Sequence, residues 1–276
     1  MQEKRDTLVR LIRECESLVI GYSGGVDSVF LAKVALDVLG RDRVLAVTGK
    51  SDSLASWMEW TAREVAERFD IPWLEIETDE VSDPRYAANP SNRCYFCKSE
   101  LWAKLVVVAR ERGLATVADG SNADDVGDHR PGALAANENG VRSPLLEAGL
   151  TKAEIRAWSR ELGLPTWDQP AAPCLASRIP YGLAVTPERL RRIERAELAM
   201  RDLGFRDFRV RYHDDTARLE IHPRELAAAV EGYARLHEAV RAAGFATVAL
   251  DVEGYRRGAL NEGLASSALV QLGAVG

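Results

Sequence analysis

The stretch that most constrains this chain is 17–40, SLVIGYSGGVDSVFLAKVALDVLG. Leu18, Val19 and Ile20 have the length and branching of a buried strand. From Asp27 to Gly40 the apolar residues Val29, Phe30, Ala32, Val34, Ala35, Val38 and Leu39 recur at helical spacing. Between the two lies SGGVDS, Ser23 to Ser28. A strand that turns through two glycines into a helix aims backbone N–H groups and a positive helix end at one spot. Such a spot suits an anion, most often a phosphate. The loop has neither the lysine of GxxxxGK[ST] nor the spacing of GxGxxG. Ser23 and Ser28 can donate to phosphate oxygens, Gly24 and Gly25 permit close backbone approach, and Asp27 can hold a magnesium ion. The competing reading is a glycine-rich turn without a ligand, and the agreement of strand, hexapeptide and helix weighs against it.

Further along, 43–48 (RVLAVT) reads as a second strand, 51–69 carries a helix, and 73–78 (WLEIET) alternates like a strand. This β-α-β-α-β order predicts a parallel sheet with crossover helices and a ligand crevice beyond the carboxyl ends of its strands. Thr48–Ser53 lies at such an end, as a nucleotide contact or as a plain polar loop. Residues 79–97 break the pattern with prolines and asparagines, and a long loop in a compact domain is more often functional than idle. A helix is expected after it, through Arg112. A further strand, 116–121, leads into NADD (Asn122–Asp125) and DHRPG (Asp128–Gly132), again polar residues at a strand's end. Thr151 and Glu154 form a capping box that opens a helix to Leu162.

The second half reads as a smaller unit. A charged helix over 187–203, a hairpin of 205–212 and 217–222, a helix over 223–243 and a strand over 247–252 make a small α+β domain. Its boundary is expected at residue 183, giving domains 1–183 and 184–276, with a frayed tail after Gly258. A chain of 276 residues fits two such units. The N-terminus lacks a signal-peptide core and no stretch is apolar enough to span a bilayer, so a cytoplasmic protein is expected. The net charge of −6 argues against a broad nucleic-acid surface.

Four cysteines without an export signal suggest thiol or metal chemistry rather than a disulfide framework. Cys15 falls on the apolar face of an N-terminal helix (6–16) and reads as core. Cys94 and Cys97 form a CxxC at a helix start, where thiolates are favoured: half a metal site, a redox pair or two inert thiols. Cys174 sits among Pro170, Pro173 and Pro180, on a stiff loop with Arg178 close in sequence, as a nucleophile, a ligand or an inert thiol. Arg209 and Arg211, two apart on a strand, face the same side and suit a phosphate or dicarboxylate, or else a solvated face.

SGGVDS after a first strand resembles the signature of the PP-loop ATP pyrophosphatases, which bind the β,γ-pyrophosphate of ATP, with Mg²⁺, and split ATP between α and β. The blocks DGSNADD and DHRPG, with PCLASRIPYG (173–182), resemble one branch, the LarE sulfur transferases, across nearly the whole chain. The resemblance implies a fold of the adenine-nucleotide alpha-hydrolase type with a small α+β domain. The implied role is in nickel-pincer nucleotide synthesis: carboxylates of a pyridinium biscarboxylic acid mononucleotide are adenylated and converted to thiocarboxylates. It further implies ATP binding by Ser23, Gly24, Gly25, Asp27 and Ser28, with Mg²⁺ on Asp27, and substrate phosphate on Arg209 and Arg211. A divalent metal is implied on Glu197 and Glu220, with Glu194 competing for the first position. In the family, sulfur comes either from a lone sacrificial cysteine, here Cys174, or from a three-cysteine [4Fe-4S] cluster carrying an extra sulfide. The presence of Cys94 and Cys97 beside Cys174 favours the cluster. A sulfide source, a homo-oligomer and the absence of membrane or nucleic-acid partners complete the expectation. A tRNA thiolase, an amide-forming ligase and a non-enzymatic nucleotide-binding module are the rivals.

Overall fold

The computed structural model describes residues 2–127, 130–256 and 258–261. Asp128 and His129 of the DHRPG block, and most of the tail expected to fray, lie outside them. Helix α1 (Gln2–Glu14) precedes strand β1 (Leu18–Gly21), whose Leu18, Val19 and Ile20 are all fully buried. Each such side chain contributes about 1.5–3 kcal/mol of burial. Helix α2 (Val26–Leu39) crosses to β2 (Val44–Lys50), and α3 (Ser56–Arg68) crosses to β3 (Trp73–Glu77). The break that follows is shorter than the sequence suggests. Asp83 caps a one-turn helix α4 (Pro84–Ala87), and α5 (Arg93–Arg112) already contains both cysteines of the CxxC. Strand β4 (Thr116–Ala118) then pairs with β1 on the side away from β2.

All four strands are parallel, in the order β3-β2-β1-β4. The order reverses between β1 and β4, and in sheets of this kind ligands bind at the carboxyl ends of the strands at such a reversal. Short helices α6 (Pro131–Glu138) and α7 (Pro144–Glu147) lead to α8 (Lys152–Glu161), which opens with the expected capping box: Thr151 Oγ1 accepts from Glu154 N–H, and the Glu154 carboxylate accepts from Thr151 N–H at 2.8 Å. One face of the sheet packs Leu8, Ile12, Ile20, Phe30 and Ile155, and the other packs Val19, Val47, Trp102 and Leu105. Helices thus cover both faces, as the near-continuous apolar run in β1 requires.

The second sheet comprises β5 (Phe208–His213), β6 (Thr216–Ile221) and β7 (Thr247–Leu250), in that order. β5 and β6 form the expected hairpin, and β7 joins β6 in parallel. Helix α9 (Pro187–Asp202) packs against it. The single helix expected over 223–243 is two, α10 (Pro223–Glu231) and α11 (Tyr233–Ala242), parted at Gly232. Glycine lacks the side chain that would hold the helix there, and it ends one helix while opening the next. The apolar cluster around this sheet also takes in Met58 of α3, Tyr86 of α4, and Leu175 and Ile179 of the segment preceding α9. No helix among the described residues is long and apolar enough to cross a membrane.

That preceding segment is pinned by a buried charge. After the prolines it forms a 3-10 turn, Leu175–Arg178, whose Arg178 is 2% exposed. The guanidinium donates from Nε and Nη2 to the two carboxylate oxygens of Glu197, both at 2.8 Å. Burial alone would push the Glu197 carboxyl up, but the Arg178 charge holds it below the ordinary glutamate range.

Two consequences are measurable. Gly24 has φ +73°, and a Cβ there would lie 2.9 Å from the Met58 carbonyl and the Ala62 amide. Gly24→Ala is expected to lose about 1–3 kcal/mol from the left-handed backbone alone. Gly25, at φ −82° with Ser23 Oγ the nearest atom at 3.4 Å, should tolerate alanine within about 0.5 kcal/mol. Urea midpoints at constant m decide the comparison. Glu197→Gln, which leaves Arg178 buried without its counter-charge, should cost about 3–5 kcal/mol. Because the folded state favours ionised Glu197, that loss should be full at neutral pH and shrink as pH falls below the ordinary glutamate range, as paired unfolding curves would record.

Candidate active site

At the end of β1 the SGGVDS loop closes on itself through its two hydroxyls. Ser23 Oγ and Ser28 Oγ share a hydrogen bond at 3.2 Å, Ser23 N–H donates to Ser28 Oγ, and Ser28 Oγ donates to the Gly25 carbonyl. The loop leads into the first turn of α2, whose macrodipole adds positive potential. At the end of β4, Gly120 lies flat against this turn, where a Cβ would come within 3.1 Å of Ser28 N and Asp27 Cβ. Asp27 lies in the same first turn. One carboxylate oxygen pairs with Lys152 Nζ, from the start of α8, and the other is buried without a hydrogen-bond partner. That unsatisfied oxygen is where a cation fits. Asp125, also at this edge, pairs with Arg130, and burial pushes its carboxyl up.

The Thr48–Ser53 loop at the end of β2 makes hydrogen bonds that reach well beyond itself. Thr48 is buried, with its hydroxyl donating to the Tyr22 carbonyl and accepting from Trp73 Nε1. Ser51 Oγ donates to Glu80 at 2.6 Å, Ser53 Oγ bonds Tyr86 OH at 2.8 Å, and the Ser53 carbonyl accepts from Leu175 N–H at 2.9 Å. The loop therefore fastens the Cys174 segment and α4 to the first sheet.

Cys94 and Cys97, one turn apart on α5, and Cys174 are all half-buried. The three feel one another electrostatically: Cys174 raises the pKa of both Cys94 and Cys97. Burial pushes Cys94 up, and Cys97 well up, where the buried Glu80 carboxylate adds to the effect. A helix N-terminus would favour thiolates, but at Cys94 and Cys97 loss of water outweighs the dipole. No three His, Cys, Asp or Glu side chains among the described residues converge tightly enough for a single metal ion.

Arg178 does not point its hydrogen bonds at the thiol. Its Nη1 donates to the carbonyls of Pro173 (2.7 Å) and Cys174 (3.1 Å) and to Ser177 Oγ, so it shapes the loop that carries Cys174. Arg209 and Arg211 share one face of β5, as the spacing predicts, but that face is buried rather than solvated. Both reach the same segment: Arg209 donates to the Ala171 carbonyl and Arg211 to the Ser177 carbonyl. Their electrostatics differ. Arg211 pairs with Glu220 at 2.8 Å and Arg209 more loosely with Asp207 at 3.9 Å, while burial and the Arg178 charge hold the Arg209 pKa below its ordinary value, with the Tyr255 ring centroid 4.4 Å from its guanidinium.

The carboxylates expected to hold a divalent metal are already satisfied. Glu197 carries Arg178 and accepts Val210 N–H, and Glu220 lies between Arg211 and Arg218. Glu194 accepts from Ser56 N–H at 2.7 Å, at the start of α3. Sequence reasoning did not single out Lys152, Arg93 or Glu80. Lys152 was concealed within a capping motif, and the other two become notable through burial, which no local pattern displays.

A family model described as NAD synthase matches residues 2–122. An uncharacterised protein of Synechocystis is 44% identical over 95% of this chain and 98% of its own length. A tRNA-specific 2-thiouridylase of Azorhizobium caulinodans is 29% identical over 55% of the chain and 48% of its own. The pyridinium-3,5-bisthiocarboxylic acid mononucleotide synthase of Lactiplantibacillus plantarum is 35% identical over 96% of both chains. On that likeness, and on the PP-loop at the end of β1, the chain belongs to the LarE family of ATP-dependent sulfur transferases within the PP-loop ATP pyrophosphatases.

Proposed function

We propose that this chain inserts sulfur into a pyridinium biscarboxylic acid mononucleotide, activating its carboxylates with ATP and exchanging oxygen for sulfur. The observation that carries this reading is the Cys174 segment. It is tied on one side to the nucleotide-binding half through Ser53 and on the other to the buried arginines of β5. Residues 1–183 would serve ATP, and 184–276 would serve the substrate.

In this scheme a substrate carboxylate oxygen attacks the α-phosphorus of ATP, and the bond to the bridging oxygen breaks to release pyrophosphate. The backbone and hydroxyls of Ser23–Ser28 hold the charge that grows on the leaving group. Asp27 would hold Mg²⁺ through its unpartnered oxygen, and the ion supplies further neutralisation of the phosphates. Arg209, buried beside Arg178 and only loosely paired with Asp207, anchors the substrate's phosphate, and Arg211 orients the loop. Sulfide-level sulfur delivered at Cys174 would then form a bond to the acyl carbon as the acyl C–O bond breaks to release AMP and the sulfur's bond to its carrier breaks. Cys94, Cys97 and Cys174 would hold a [4Fe-4S] cluster, whose ligands stand further apart than those of a single ion, and the cluster supplies the transferred sulfide. A homo-oligomer and an external sulfide source belong to the same proposal.

The kinship with the tRNA thiouridylase supports a second acceptor, tRNA, but it reaches about half of the chain and the acidic net charge opposes it. Three outcomes are expected. Cys174→Ala should abolish thiocarboxylate formation while substrate-dependent release of pyrophosphate persists, followed by mass spectrometry and a coupled assay. Arg209→Ala should raise the substrate KM about 10- to 100-fold, the worth of a hydrogen bond to a charged group, and exceed Arg211→Ala in that effect. Wild-type protein purified without oxygen should carry about four irons per chain, lost in each cysteine variant. Iron near zero after reconstitution would instead favour Cys174 as a donor consumed once per sulfur.

A further inference from the structure

Arg93 opens α5 beside Cys94, and it is 2% exposed. A guanidinium so deeply buried ordinarily meets a carboxylate, because an uncompensated buried charge is costly. Among the described residues Arg93 forms no ion pair. Its Nη1 donates to Asn89 Oδ1 at 2.8 Å, its carbon lies 4.9 Å from the Tyr181 ring centroid, and its Nε is buried without a hydrogen-bond partner. The ionisable groups that face it are Cys174, Cys94, Tyr181 and Tyr86.

Asn89 fixes this arrangement. It is fully buried at φ +55°, and its Nδ2 donates to the carbonyls of Ile179, Pro180 and Leu183 while its Oδ1 receives Arg93. The turn that follows Cys174 is thereby locked to the helix that carries Cys94. On the opposite side, Glu80 faces Cys97 with one carboxylate oxygen buried and unbonded. The thiol trio therefore lies in an asymmetric field: Arg93 acts on Cys94 and Cys174, Lys98 and Arg130 add to it at Cys94, and at Cys97 the Glu80 carboxylate opposes Lys98.

We propose that Arg93 is the fixed counter-cation of the anionic iron–sulfur centre held by Cys94, Cys97 and Cys174, acting through its charge rather than its bulk. This rests on the cluster reading given above. Three thiolates and a cluster form a net negative group, and an added sulfide makes it more negative. A guanidinium already in place, with no carboxylate to neutralise it among the described residues, stabilises that charge without reorganisation.

The test is anaerobic reconstitution of full-length wild type, Arg93→Lys, Arg93→Met and Tyr181→Glu with ferrous iron and sulfide. Iron and acid-labile sulfide are counted, and the reduction potential is measured by EPR-monitored titration. Removing the cation disfavours the more negative, reduced state, so Arg93→Met should lower the equilibrium constant for reduction at least tenfold, or 59 mV for one electron. Arg93→Lys should hold wild-type iron and a potential close to wild type. Tyr181→Glu keeps the guanidinium but sets a carboxylate beside it, so it should shift the potential downward even if Arg93→Met fails to fold. Wild-type iron and an unchanged potential in a folded Arg93→Met or Tyr181→Glu protein would overturn the inference while leaving the cluster in place. Failure of Arg93→Lys alongside Arg93→Met would overturn it by showing that shape, not charge, is required. Absence of iron from the wild type would overturn cluster and counter-cation together.

Discussion

The Arg178 guanidinium is the point on which the arrangement of this protein depends. It spends two nitrogens on Glu197 of α9 and a third on the carbonyls of Pro173 and Cys174 and the Ser177 hydroxyl. Glu197 in turn accepts the Val210 N–H of β5. A proline-rich segment has few backbone donors with which to fix itself, so its shape must be imposed from outside. Here a planar five-donor group imposes it, and it ties the Cys174 loop, helix α9 and the second sheet into one unit.

Around this centre four arginines are buried: Arg178, Arg209, Arg211 and Arg93. Arg178 and Arg211 have close carboxylate partners and Arg209 a looser one in Asp207, whereas Arg93 faces thiols. On the nucleotide side the balance is reversed: Asp27 keeps one oxygen unpartnered at the mouth of a loop that offers N–H groups.

Much of this was legible from the chain. The strand at Leu18, the helix after Ser28, the βαβ order and the capping box at Thr151 follow from periodicity and local hydrogen-bonding chemistry, and the structure has all of them. The errors were local as well. The break at Gly232 and the extra helix α4 turn on one glycine and one capping aspartate, whose weight against neighbouring residues is small. The site was harder to read. Spacing placed Arg209 and Arg211 on one face, but could not reveal that Glu220 neutralises only the second, or that Glu197 belongs to Arg178.

The sequence by itself determined the class of fold and the nucleotide loop, because strand, glycine turn and helix are dictated by neighbours a few residues apart. It also supplied the chemistry: three thiols, a magnesium-suited aspartate and paired arginines. Only the tertiary structure decided which charges are cancelled and which are left to act. Burial and pairing join residues such as Arg93 and Cys174, or Asp27 and Lys152, that lie far apart along the chain. The free energy of a charge depends on what surrounds it in space, and no local pattern contains that information.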